Sequence, residues 1–204
     1  MSKTSTLKTL AADERGMERL VFFSDAVFAI AITLLALEIR LPEVVGLNNA
    51  DLWHALGSIY PKYLSFMVSF LVIGNFWLIH HRQFGYIERY DTRLIFINLF
   101  VLMTIAFIPF PTVVISENGN RAATIFYAMT MCMEGSFLTL LWLYATSGRR
   151  LVSADLTTAI VRRGIFRNLS ISAIFLFSIG LAFIHPDIAK FSWLLIVPMI
   201  WRIR

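Results

Sequence analysis

Six apolar runs divide this chain and leave almost no length over for a water-soluble domain. They fall at about residues 20–39, 59–79, 94–115, 122–146, 165–184 and 188–203, the last being the shortest. A helix of about 20 apolar residues crosses the hydrocarbon core of a bilayer. Only 15% of the 204 residues are charged, against about 25% in a soluble domain. Lipid offers no partner to an open sheet edge, and the runs lack the alternation of a membrane barrel, so the spans are predicted to be helical. The expected fold class is an all-α integral membrane protein with six transmembrane helices in a single domain over 1–204.

The polar stretches between the runs set an orientation. Of the 18 Lys and Arg, only Arg40, Lys62, Arg121 and Lys190 fall on one side of this six-span scheme. The positive-inside rule then places both termini in the cytoplasm. The net charge of +5 reads as this asymmetry rather than as a nucleic-acid surface. Residues 1–18 form a polar lead-in without the apolar core of a cleaved signal. Gly46, Asn48 and Asn49 mark a turn, and Asp51–Ser58 suits a short interfacial helix. Pro109 and Pro111 should kink or stop the third span near its end. The single Cys132 has no partner for an intrachain disulfide.

The first span carries the most information. It opens with Arg19, Ser24 and Asp25 and then runs without a charge from Ala26 to Leu37. On a helix, Ile30, Thr33, Leu34 and Leu37 share one face. Spacing alone fits either a helix-packing stripe or the wall of a pore. A pore walled by one helix per chain demands several copies around an axis. Rings of Ile and Leu would then form an apolar constriction that gates by dewetting, and a Thr33 ring would offer hydroxyl oxygens to a partly dehydrated cation. Arg19, Ser24 and Asp25 fit either a snorkelling arginine with an interfacial carboxylate or a polar network between helices, with His80 and Asn98 as candidate partners at a similar depth. Glu134, a lone acid in the fourth span, fits an interhelical contact or a proton path.

Other chemistries lack their signatures. His80 and His81 are adjacent and point about 100° apart, a poor pair for one metal ion. There is no H-E-x-x-H, no paired-cysteine motif, no phosphate loop and no T-V-G-Y-G filter. The expectation is therefore no enzyme, no cofactor and no resident metal.

The segment R-x-x-x-F-S-D, here Arg19, Phe23, Ser24 and Asp25, followed by A-V-F-A-I-A-I-T-L-L, resembles the transmembrane protein 175 family. The likeness continues through Trp77 and His80 in W-L-I-H, Asn98-Leu99 and Ile108-Pro109-Phe110. These are endolysosomal potassium channels in animals with smaller prokaryotic relatives. The resemblance implies a homotetramer of six-helix subunits in a prokaryotic plasma membrane, with the first helix lining the pore. It implies an apolar constriction at Ile30, Leu34 and Leu37, with Thr33 as a hydroxyl layer and potassium as the modestly selected permeant ion. Arg19, Phe23, Ser24, Asp25, Trp77, His80 and Asn98 would then form the structural network that ties the pore helix to its neighbours. The main alternative is a proton-coupled secondary transporter using Asp25 or Glu134, although no half-helix break or inverted repeat stands out.

Overall fold

The structure, a computed structural model, describes residues 3–42 and 48–196. These residues are almost entirely helical. The order is α1 (Lys3–Leu37), α2 (Asn49–Ser58), α3 (Tyr60–Phe84), α4 (Thr92–Phe107), α5 (Pro109–Asn118), α6 (Arg121–Thr146), α7 (Thr158–Ala182) and α8 (Pro186–Ser192). Five helical segments among the described residues are long and apolar enough to cross a membrane, with α4 and α5 together counting as one. The predicted sixth span begins within α8, and its residues beyond Ile196 lie outside the described residues.

Helix starts follow local chemistry. Asn48, Asp91, Asn120 and Thr157 each accept a hydrogen bond from a backbone amide of the first helical turn. Pro109 lacks an amide hydrogen, which separates α4 from α5. The backbone at Ile108 stays helical there (φ −53°, ψ −37°), so the chain continues in nearly the same course. Gly119 ends α5 in the left-handed region at φ 58°, and its amide returns to the Ile115 carbonyl.

Three boundaries differ from the sequence expectation. Helix α1 starts at Lys3 rather than near residue 20, because nothing between Lys3 and Leu20 breaks a helix apart from the tolerated Gly16. Helix α3 runs on past Ile79 to Phe84, since His80, Gln83 and Phe84 are buried. Helix α7 starts at Thr158, inside the predicted Arg-rich loop, where Thr157 supplies the cap.

The core is built on α6. It packs directly against α7: a Cβ at Gly135 would meet Ser172 Oγ and lie 3.6 Å from the Asn168 carbonyl. The Trp142 indole donates to the Val161 carbonyl at 3.2 Å on the same interface. Helix α1 lies at the edge, against α3, α4 and α5. Within the chain 22% of its apolar stretch is buried, against 56% for α6. A helix so apolar and so little covered needs lipid or another subunit along its free side.

Candidate functional site

Helix α1 has two faces of different character. Ser24, Phe28, Ala31 and Leu35 are buried and turn toward α3 and α4. At about 100° per residue, Ile30, Thr33, Leu34 and Leu37 lie about 180–280° around the helix from Ser24. That side is uncovered in the subunit, with Ile30 58% and Leu37 65% exposed. Thr33 Oγ1 donates to the Ile30 carbonyl at 2.8 Å. Its proton is thereby committed to the helix, and the oxygen lone pairs remain free to meet a cation.

The buried face is fixed by a chain of polar groups. His80 Nε2 and Asn98 Oδ1 are 2.8 Å apart, and Asn98 Nδ2 donates to Ser24 Oγ at 2.9 Å. Ser24 Oγ in turn donates to the Leu20 carbonyl at 2.8 Å. An amide oxygen only accepts, so His80 carries its proton on Nε2. The donors all run one way, from α3 through α4 to α1, and every member is used. His80 is held between Phe28 and Phe84, whose ring centroids lie 5.4 and 4.3 Å away. One residue further along α1, Asp25 Oδ1 accepts from Trp77 Nε1 at 2.8 Å. Ser24 and Asp25 point about 100° apart, so these two contacts with α3 and α4 fix both the height and the rotation of α1.

The structure thus brings Ser24, His80 and Asn98 into one network and pairs Asp25 with Trp77. Arg19 and Phe23 lie outside it. Both are exposed on the side of α1 that carries Ile30, and Arg19 makes no hydrogen bond or ion pair among the described residues. Glu134 is fully buried in α6, and neither carboxyl oxygen has a hydrogen-bond partner among the described residues. No contact links it to Asp25. Among the described residues no three His, Cys, Asp or Glu side chains come together as a metal site.

One polar cluster escaped the sequence reading. Asp91, which caps α4, also accepts from Tyr144 Oη at 2.7 Å and from Arg150 at 2.8 Å. Beside it, the Glu88 amide meets the Leu151 carbonyl and the Ser153 amide meets the Tyr86 carbonyl, each at 2.9 Å. This latch joins the α3–α4 loop to the α6–α7 loop. Partial burial acts to raise the Asp91 carboxyl, but the Leu94 amide, Tyr144 and Arg150 outweigh it and hold the group below the usual carboxylate range. The Asp cap before an apolar run was readable; its partners, 53 and 59 residues away, carry no local signal.

Several proteins similar to this chain are named as potassium channels. The model of the endosomal/lysosomal potassium channel TMEM175 family matches residues 19–109, the stretch that holds α1 from Arg19 onward, the Ser24–Asn98–His80 network and Pro109. A potassium channel of Streptomyces collinus is 38% identical over 175 residues, covering 83% of this chain and 84% of that one. A potassium channel of Chamaesiphon minutus is 36% identical over 147 residues, covering 70% and 72%. The crystal structure of a lysosomal potassium-selective channel TMEM175 homolog from Chamaesiphon minutus superposes with a TM-score of 0.81 at 30% identity, covering 93% of this chain and 99% of that one. With the same fold, and with this identity extending across most of both chains, the protein belongs to the TMEM175 potassium channel family.

Proposed function

We propose that this chain is one subunit of a homotetrameric, potassium-permeable cation channel whose pore is walled by the free face of α1. The observation that carries this reading is the pairing of two opposite faces on one helix. One is locked to α3 and α4 by buried hydrogen bonds. The other is apolar, uncharged from Ala26 to Leu37, and uncovered in the subunit. Four copies around an axis would bury that face and enclose a path. Ile30, Leu34 and Leu37 then form successive apolar rings that pass an ion only when it sheds part of its water. Potassium holds its water less tightly than sodium, so such rings favour it modestly. Thr33 would supply a ring of oxygens between them. In this reading the membrane is a prokaryotic plasma membrane and both termini lie in the cytoplasm, an orientation that the basic loops support.

The test is current through the purified protein in a planar bilayer with potassium on one side and sodium on the other. Unitary currents reversing toward the potassium potential are expected. Currents reversing near zero would remove potassium preference while keeping the pore. Saturable turnover without unitary current would favour a carrier, a reading that draws on the buried, unpartnered Glu134.

A further inference from the structure

Outside the pore helix, the start of α7 presents an open face from Thr158 to Leu169, all on this one helix, beside a shallow space of about 670 Å³, here termed the groove. Its lining changes character along its length. Thr158, Arg162 and Arg163 form one end, and Ile165, Phe166 and Leu169 form the other. Phe166 is 65% exposed, so the apolar end is uncovered in the subunit. Neither Arg162 nor Arg163 makes a hydrogen bond or ion pair among the described residues. A third guanidinium is brought to the rim. Gly148 and Arg149 take successive left-handed conformations (φ 63° and 51°), and Arg149 donates to Thr158 Oγ1 at 3.0 Å. Left-handed backbone is uncommon for a residue with a side chain. Between Ser147 and Ser170 the single carboxylate is Asp155, and Arg150 is already taken by Asp91. The basic end therefore has more positive charge than the protein neutralises, at the very point where a membrane-spanning helix leaves its polar loop.

We propose that this groove seats an anionic glycerophospholipid of the leaflet that the α6–α7 loop faces. Arg162 and Arg163, with Arg149 at the rim, take the headgroup phosphate, and an acyl chain lies along Ile165, Phe166 and Leu169. Charge complementarity selects an anionic lipid over a zwitterionic one, and the apolar end selects a lipid over a soluble anion. The inference rests on the membrane embedding of the chain and is independent of where the pore lies.

Native mass spectrometry of the full-length protein tests it, after equilibration with equal amounts of phosphatidylglycerol and phosphatidylcholine of identical acyl chains. Each basic residue near an anionic headgroup favours it by roughly fivefold. Phosphatidylglycerol adducts should therefore exceed phosphatidylcholine adducts by about five- to thirtyfold. The double variant R162Q/R163Q should cut the excess severalfold, leaving only the share of Arg149 at the rim, while R89Q, a cation outside the groove, should leave the excess intact. Phe166→Ser should lower both adducts together. A preserved phosphatidylglycerol excess in R162Q/R163Q overturns the proposal. So does displacement of the lipid by millimolar glycerol 3-phosphate, which would make the site one for a soluble anion. Loss of oligomeric mass in R162Q/R163Q with lipid retention unchanged would make the groove a contact between copies and would overturn it equally.

Discussion

Replacing Asn98 with Ala should disconnect α1 from the rest of the subunit. Asn98 is fully buried and makes two interhelical contacts, one to His80 and one to Ser24. Hydrogen bonds of this kind in membranes average about 0.6 kcal/mol each. Loss of both is therefore worth about 1.2 kcal/mol. The change also strands the His80 N–H between two phenyl rings, where an unmet buried donor costs about 1–3 kcal/mol. Asn98→Ala is thus expected to destabilise the subunit by about 2–4 kcal/mol. Ser24→Ala removes one contact and strands one amide hydrogen of Asn98, for a smaller loss. Because both mutations break the same bond, the double mutant should be less destabilised than the sum, by about 0.5–1.5 kcal/mol. The assay is equilibrium unfolding in mixed micelles followed by tryptophan fluorescence, on the two single mutants and the double. Additivity within about 0.5 kcal/mol, the behaviour of independent sites, would show that Asn98 and Ser24 are not coupled and would refute the network.

Ile30→Asn should raise conductance and weaken potassium preference, because a polar ring stays wet; unchanged currents would remove Ile30 from the constriction. Asp25→Ala should impair assembly or current by stranding the Trp77 indole, whereas Asp25→Asn keeps an acceptor for it, so equal behaviour of the two in gel filtration and bilayer recording would count against that pair. Gly135→Val should destabilise the subunit by about 1–3 kcal/mol, since even its Cβ would overlap Ser172 Oγ, and a melting temperature equal to wild type would show that α6 and α7 can separate at little cost. The Asp91 carboxyl is held below its ordinary range, so its stabilising contribution is fully present above about pH 4 and fades as pH falls through the lower folded value. Asp91→Asn should therefore flatten the loss of stability on the acid side, and an acid limb of unchanged shape would show that the latch does not set it.

The fold was legible wherever one residue type acts within a few positions of itself. Long uncharged runs announced the crossing helices, and Pro109 marked a break. The pairing of Ser24 with Asn98 and His80 could be reached only because polar groups deep in apolar runs have few places to go. What stayed hidden depends on three-dimensional placement. The helical start of α7 inside an Arg-rich stretch looks like loop by composition, and the Asp91–Tyr144–Arg150 latch joins residues with nothing in their local sequence to connect them. Arg19 sits in the same motif as Ser24, yet five positions on a helix place it on the opposite side, with the free face.

In the proposed pore, that geometry would give the buried network a purpose beyond stability. An apolar constriction works only if a defined side chain reaches the axis, and one residue of slippage turns a helix by about 100°. A greasy helix packed only by greasy neighbours has little to resist such a turn, because Leu, Ile and Phe exchange places at modest cost. The Ser24–Asn98 and Asp25–Trp77 bonds do resist it. Rotating α1 by one position would take the Asn98 amide, the Trp77 indole and the Asp25 carboxylate from their partners at once, and the fully buried Asn98 amide alone would cost more than the repacking of a few methyl groups. The hydrogen bonds at Ser24 and Asp25 therefore hold Ile30, Leu34 and Leu37 on a single heading. A channel without a carbonyl filter would need this, since its selectivity would rest on side chains whose direction only the helix rotation sets.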